Sequence, residues 1–481
     1  MTEDTSTDTE RNRTMFPSWQ DTIAKMARDD PKLRFTTLAH RLTPMVLKRA
    51  FKRLNRKAAP GPDGITVPQY EESLDANIQD LWLRLKSKKF RAAPAKRRMI
   101  PKPNGKLRPL GIANVEDRIV QTAILMLLEP IYEQDFLDVS FGFRPGRSTK
   151  DALEALRKTI DRRPIRVVFE ADIKGFFDNL EHAWLRKFLE HRISDRGIHR
   201  LIGKVLKSGV VDSDGRIHRS KRGTPQGGPL SPLLANIYLH YVLDLWFMRQ
   251  FRRSCRGEAY MVRYADDFVM CFEHHEDAER FAPELEKRLA AFGLELEPDK
   301  TRTIEFGTTI QSGKPGPESG GHTFDFLGFT HYMRRRPRGL RTARKPSAKS
   351  RRRFLAAAKA WLRRHRHRSP WLHQRVLGAK LRGFIQYFRL RHCGPTLENV
   401  RLQLYRIWAR VLRSRSQRGR RLWWYVLWRK PWFTLPRVRR SKRSRAPASK
   451  RRNRAKPPAP TRARKAAPRQ LSLFGSPKPT T

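Results

Sequence analysis

The sequence predicts an α+β fold, followed by an all-helical region and a tail that does not fold. Three observations carry this reading. Between residues 56 and 335, strand-like and helix-like apolar patterns alternate, and most Gly and Asp clusters fall there. From Ser350 to Trp428 the strand patterns vanish and Arg-rich amphipathic helices take over. From Arg437 onward the chain is basic, low-complexity and Pro-rich, so it lacks the apolar surface needed to order itself. With 481 residues, 38% of them hydrophobic, the chain has length and apolar material for more than one domain.

Taken in order, residues 1–35 are polar and expected to be disordered. Apolar residues at helical spacing from Phe35 to Asn55 predict a small basic helical lead-in to a mixed domain over 36–335. Within that domain, Arg166–Ile173 reads as a strand, and A-Y-M-V-R-Y-A-D-D-F-V-M-C-F (259–272) as a hairpin. Pro229–Trp246 reads as a helix with Pro near its first turn. A second helix is expected over Glu276–Phe292, and Gly307–Gly321 is a Gly/Ser/Pro loop. A helical domain over 350–430 carries an apolar stripe through Trp361, Leu362, Leu377, Leu381, Phe384, Tyr387, Phe388, Leu404, Trp408 and Leu412, read as its core. Residues 431–481 form the tail.

The net charge is +57. A cation of this size requires a polyanion, and nucleic acid is the default partner. A membrane surface would call for an anchor or an amphipathic basic helix, and no apolar stretch approaches spanning length. The acidic start M-T-E-D-T-S-T-D-T-E does not read as a signal peptide, so the cytosol or nucleoid is expected. Cys255, Cys271 and Cys393 are isolated, which argues against a disulfide framework and a structural zinc site.

The chemistry concentrates in two acidic clusters. Asp266 and Asp267 are adjacent between apolar runs, where charges repel and lose solvation. A divalent cation at the hairpin turn removes that cost. Upstream, V-V-F-E-A-D-I-K-G-F-F-D-N places Asp172 at the end of an apolar strand. If the two strands are neighbours, Asp172 converges on Asp266, and three carboxylates can hold two Mg²⁺ ions for nucleotidyl transfer.

These clusters resemble the palm of a reverse transcriptase, and more narrowly the reverse transcriptase/maturase proteins encoded within bacterial group II introns. The supporting blocks occur in the family's order. They are A-A-P-G-P-D-G-I-T (58–66), I-P-K-P-N-G-K-L-R-P-L-G-I (100–112), F-G-F-R-P-G-R-S (141–148) and the Asp172 block. Then follow G-T-P-Q-G-G-P-L-S-P-L-L-A-N-I-Y-L (223–239), Y-A-D-D, G-L-E-L-E-P-D-K-T (293–301) and F-L-G-F (326–329). The resemblance implies a right-hand polymerase fold, with fingers and a palm whose antiparallel sheet packs on helices. An α-helical thumb/maturase domain and the disordered basic tail would follow.

It also implies residue roles. Asp172, Asp266 and Asp267 would be the metal-binding catalytic carboxylates. Lys102 and Arg108 would clamp the triphosphate, and Gln226 would lie against the nascent base pair. Phe177 would exclude a 2′-hydroxyl and so select dNTPs. Lys300 would protonate the leaving pyrophosphate, and Leu327-Gly328 would grip the primer backbone. L-R-G-F-I-Q-Y-F (381–388) resembles a thumb/maturase motif, with Phe384 where Trp is usual. The Arg-rich surface there suits a folded intron RNA.

The implied function is RNA-directed DNA synthesis and splicing assistance for a group II intron, with intron RNA, a DNA target and primer, and dNTPs as partners. Monomer and homodimer both stay open. A stand-alone reverse transcriptase in a defence or CRISPR locus, and a splicing-only RNA-binding maturase, are the alternatives. No C-x-x-C pairs match the zinc-supported nuclease domain of many relatives, so the primer is expected from elsewhere. Gln470-Leu471-Ser472-Leu473-Phe474 resembles the pentapeptide by which bacterial polymerases dock on the replicative sliding clamp. Gln470, Leu471, Leu473 and Phe474 would make the contacts, with the tail as a tether.

Overall fold

The computed structural model describes residues 18–438, apart from 102–106, 213, 220–221, 225–226, 308–321, 338 and 418–422. Eleven strands are present among the described residues: β1 (Ala95–Pro101), β2 (Leu107–Ile112), β3 (Val167–Asp172), β4 (Val210–Val211), β5 (Ile217–His218), β6 (Ala259–Tyr264), β7 (Asp267–Phe272), β8 (Arg302–Glu305), β9 (Phe324–Phe326), β10 (Phe329–Arg336) and β11 (Gly339–Pro346). They form three sheets, ordered β2-β1-β4-β5, β6-β7-β3-β8 and β11-β10-β9. The second sheet is antiparallel throughout and positions the acidic clusters.

That sheet is covered on both faces. Phe169, Met270 and Phe272 point into one core with Phe281 of the helix His275–Ala290. Val168, Val269 and Cys271 point into a second core with Phe306, Phe324 and Phe388. Double coverage explains why β7 reads D-F-V-M-C-F, a continuous apolar run in place of an alternating one. Each fully buried side chain of this size is worth about 1.5–3 kcal/mol. The cost of an ion among them is correspondingly plain.

The first core also holds the helix Val115–Asp135, apolar nearly all round, with Ile119, Ala123, Leu127 and Ile131 fully buried. The helix Trp19–Asp29 packs on it through Ile23 and Ala27. The expected disorder of residues 1–35 therefore fails from Ser18 onward. Ser18 and Asp21 form a reciprocal capping box, and the apolar positions fall on one face. The lead-in continues through a helix at Pro44–Lys52.

The helix expected over Pro229–Trp246 is interrupted. It runs α-helical over Ser231–Leu239, widens to a π-helical turn over His240–Asp244, and resumes over Leu245–Arg249. Beyond β11 the described elements are helices, at Ala348–Arg364, Pro370–Phe388, Gly394–Arg413 and Trp424–Trp428. Leu362, Leu377, Leu381, Leu404, Trp408 and Leu412 are buried there, which bears out the core reading for most of the stripe. Tyr387 is instead exposed.

Asp195 joins the lead-in to this body. One carboxylate oxygen accepts the Leu38 and Ala39 N–H groups at 2.6 and 2.7 Å, and the other caps the helix Arg196–Lys207 through Gly197 and Ile198. Burial pushes against its charge, but the four backbone donors outweigh it and hold the carboxyl below its usual range. A depressed carboxyl stabilises the fold above its unfolded pKa and loses that contribution as pH falls. Asp195→Ala is therefore expected to lower the melting temperature at pH 7 by several degrees, and the gap from wild type should narrow on acidification below about pH 4. Thermal unfolding followed by circular dichroism across pH checks both points.

Candidate active site

The acidic residues are brought together by strand register. In the β3–β7 ladder Asp172 stands directly opposite Asp267, so both side chains share one face of the sheet. The β6–β7 hairpin closes with Tyr264 opposite Asp267, leaving Ala265 and Asp266 as the two turn residues. Ala265 has φ 59, a left-handed conformation uncommon outside glycine. Gly142 of F-G-F-R backs onto this turn, and a Cβ there would lie 2.4 Å from the Ala265 nitrogen. Only glycine allows the two segments to approach so closely.

The convergence has an electrostatic cost. Asp267 is pushed up to about 8, first by burial, then by the charges of Asp172 and Asp266 and of Glu170. A hydrogen bond from the Leu327 N–H works against that rise. Leu327 and Gly328 form the two-residue turn between β9 and β10, with φ 50 and 80, as the primed hairpin turns require. Tyr387 donates to the Leu327 carbonyl at 3.0 Å, and Ser350 to that of Gly328 at 3.1 Å, so the helical region braces this turn.

Lys300 arrives by a different route. The stretch after Gly293 runs beside the end of β3, with Glu297 donating its N–H to the Asp172 carbonyl at 2.8 Å. This sets the Lys300 ammonium in an ion pair with Asp172. Burial opposes its charge, but the hydrogen bond to Asp172 and the charges of Asp172, Glu297 and Asp266 hold the lysine above its ordinary range.

Phe177 lies half-buried on the short helix Phe176–Asn179, its ring 5.5 Å from that of Phe176. Its carbonyl accepts the Thr224 N–H at 2.8 Å, which ties it to the P-Q-G-G segment. In that segment Gly227, at φ 109, packs so closely on β2 that a Cβ would lie 2.8 Å from the Gly111 carbonyl. Arg108 sits on β2 opposite Ile100. Lys102, Gln226 and the pentapeptide residues Gln470, Leu471, Leu473 and Phe474 lie outside the described residues.

The structure thus gathers Asp172, Asp266, Asp267, Lys300, Leu327 and Gly328 around one end of the sheet. Among the described residues no three His, Cys, Asp or Glu side chains form a ready-made metal cage. The donor set nonetheless fits a hard divalent cation, which prefers carboxylate oxygens and would relieve the crowding that raises Asp267.

Sequence reasoning missed Arg263, Asp244 and Asn236. All three are fully or almost fully buried. The signal was available: an Arg inside A-Y-M-V-R-Y, and an Asn and an Asp inside the apolar helix P-L-L-A-N-I-Y-L-H-Y-V-L-D. Buried polar residues in such runs are expected to find one another.

Comparison with known proteins agrees with this geometry. The family model described as "Reverse transcriptase (RNA-dependent DNA polymerase)" matches residues 100–331. Protein YkfC of Escherichia coli (strain K12) is 38% identical over 280 residues, covering 52% of this chain and 73% of that protein. The group II intron-encoded protein LtrA of Lactococcus lactis subsp. cremoris is 37% identical over 229 residues, covering 46% of this chain but only 38% of LtrA. The putative COX1/OXI3 intron 1 protein of Saccharomyces cerevisiae is 32% identical over 201 residues, 42% of this chain and 24% of that protein.

A carboxyl raised from about 4 in the unfolded chain to about 8 in the fold binds a proton that the unfolded chain has released. Metal-free protein should therefore lose stability as pH rises between those values. Asp267→Asn cannot ionise and is expected to flatten that loss, by up to about 2 kcal/mol between pH 6 and 8. Melting curves in EDTA at several pH values check this; equal slopes for wild type and variant would refute the crowding.

Proposed function

The chain belongs to the reverse transcriptase (RNA-dependent DNA polymerase) family, and we propose that it is the reverse transcriptase and maturase of a group II intron. On this reading it binds intron RNA, aids its splicing and copies it into DNA during intron mobility. The observation that carries the polymerase part is the register that sets Asp172 opposite Asp267, beside Asp266 in the adjoining turn. The group II intron part is supported by the likeness to LtrA and by the order of the sequence blocks.

Asp172, Asp266 and Asp267 would hold two Mg²⁺ ions. Bound there, the ions supply activation of the primer 3′-hydroxyl and charge neutralisation on the triphosphate and leaving pyrophosphate. The remaining work falls to the chain's own groups. Lys300, held protonated beside Asp172, would give a proton to the leaving pyrophosphate. The Phe177 ring would close the space under C2′ of the incoming sugar, and Gln226 would test the nascent pair. Lys102 and Arg108 would neutralise the triphosphate, Arg108 from β2. The Leu327-Gly328 turn, fixed by Tyr387 and Ser350, would carry the primer backbone to the carboxylates.

The helical region over 348–428 supplies the splicing surface. Leu362, Leu377, Leu381, Leu404, Trp408 and Leu412 form its core, while most of its described arginines are exposed and open to phosphates. No helix among the described residues is long and apolar enough to cross a membrane. The Gln470–Phe474 pentapeptide would tether the enzyme to the replicative sliding clamp, where primer ends are made.

Two experiments test this. Asp266→Ala is expected to abolish cDNA synthesis on an RNA template with Mg²⁺ and dNTPs, while splicing of the cognate intron persists. Loss of splicing in a folded variant would refute separate surfaces for the two activities. Leu473→Ala with Phe474→Ala should lower intron mobility and leave primer extension intact; unchanged mobility together with no clamp binding would remove the tether.

A further inference from the structure

Arg263 lies on β6, one residue before the tyrosine that precedes the acidic turn, and has no exposed surface. Its partner Asp244 is equally buried. A buried ion pair is poor at stabilising a fold, and two apolar side chains of similar shape usually serve as well or better. The pair calls for another reason, and its geometry supplies one.

The guanidinium uses its whole fork. Nε and Nη2 donate to the two Asp244 carboxylate oxygens at 2.7 and 2.5 Å. Nη1 donates to Asn236 Oδ1 and to the Ala265 carbonyl, both at 3.0 Å. Asn236 Nδ2 in turn donates to the Gly142 carbonyl at 2.7 Å, and Gly142 is the residue pressed against the Ala265 nitrogen. The Arg263 backbone is held too: its N–H donates to Val139 and its carbonyl accepts from Phe141. Asp244 closes the π-helical turn, a rare geometry that concentrates at functional sites. Two of these contacts reach Ala265, at its carbonyl through Arg263 and at its nitrogen through Gly142, and its left-handed conformation is one that a non-glycine residue keeps only when its surroundings impose it.

We propose that Arg263, oriented by Asp244 and Asn236, is the positioning residue of the acidic turn: it holds the Ala265 peptide in place and thereby fixes where Asp266 and Asp267 present their carboxylates to a divalent cation. The inference rests on the reading of those two aspartates as metal ligands. Arginine is required because a lysine has no rigid planar fork with which to serve Asp244, Asn236 and the Ala265 carbonyl together.

Full-length variants separate positioning from stability. Arg263→Met with Asp244→Leu removes both charges and should melt within a few degrees of wild type or above it. Its kcat for primer extension should nonetheless fall about 100-fold, the effect of a displacement of about 1 Å. Mn²⁺ binding without dNTP, followed by electron paramagnetic resonance, should weaken at least about tenfold on the same ground. Arg263→Lys should share these losses, and adding Ala265→Gly to it should recover much of the activity, since glycine takes the positive φ without being held. A folded double variant with wild-type kcat and Mn²⁺ affinity would overturn the proposal. If the double variant does not fold, the lysine variant decides: full activity, or no recovery with Ala265→Gly, overturns it as well. Equal Mn²⁺ binding by wild type and Asp266→Ala would instead sink the metal-site reading beneath it.

Discussion

Repulsion among carboxylates at one end of an antiparallel ladder is the constraint on which the rest of the structure turns. Asp172 and Asp267 are neighbours because β3 and β7 pair in register, and Asp266 is beside them because the hairpin turn has two residues and no more. Left alone, such a cluster would protonate or push its strands apart. The fold supports it from three sides. Lys300 neutralises Asp172, the Leu327 N–H donates to Asp267, and the apolar cores on both faces of the sheet keep β3 and β7 from sliding.

Each support comes from a distant part of the chain. Lys300 follows a segment that runs alongside the end of β3, and Leu327 sits on a separate three-stranded sheet. Tyr387 and Ser350, from the helical region, hold the Leu327-Gly328 turn. The polymerase and helical regions are therefore coupled at the carboxylates themselves. The second core shows the same continuity, since Phe388 and Leu397 pack with Val168 and Val269 on one face of the sheet that carries the acidic residues.

Much of this was legible in the sequence. The strand Val167–Asp172 and the hairpin 259–272 announced themselves by apolar runs that end in acids, and the helix His275–Ala290 by its period. Asp172, Asp266, Asp267, Lys300, Leu327 and Gly328 could be named because ordered blocks place them, and the fold assembles them. Other features were hidden for physical reasons. The capped helix at Trp19–Asp29 is short and polar on average, and its packing partner is a helix about a hundred residues away. The π-helical turn leaves the apolar pattern of 231–249 nearly intact, so periodicity does not reveal it. Arg263 and Asp244 look like isolated charges until tertiary contact pairs them.

The register between Asp172 and Asp267 also bears on how the gene can vary. Side chains alternate across a strand, so a single inserted or deleted codon within β3 or β7 would turn one aspartate to the opposite face while leaving its neighbours apolar. Exchanges of Val, Ile, Leu or Phe along these strands leave the pairing untouched. Length change is thus forbidden where substitution is tolerated, and insertions are expected to accumulate in the connections between strands, outside the ladder that aligns the acids.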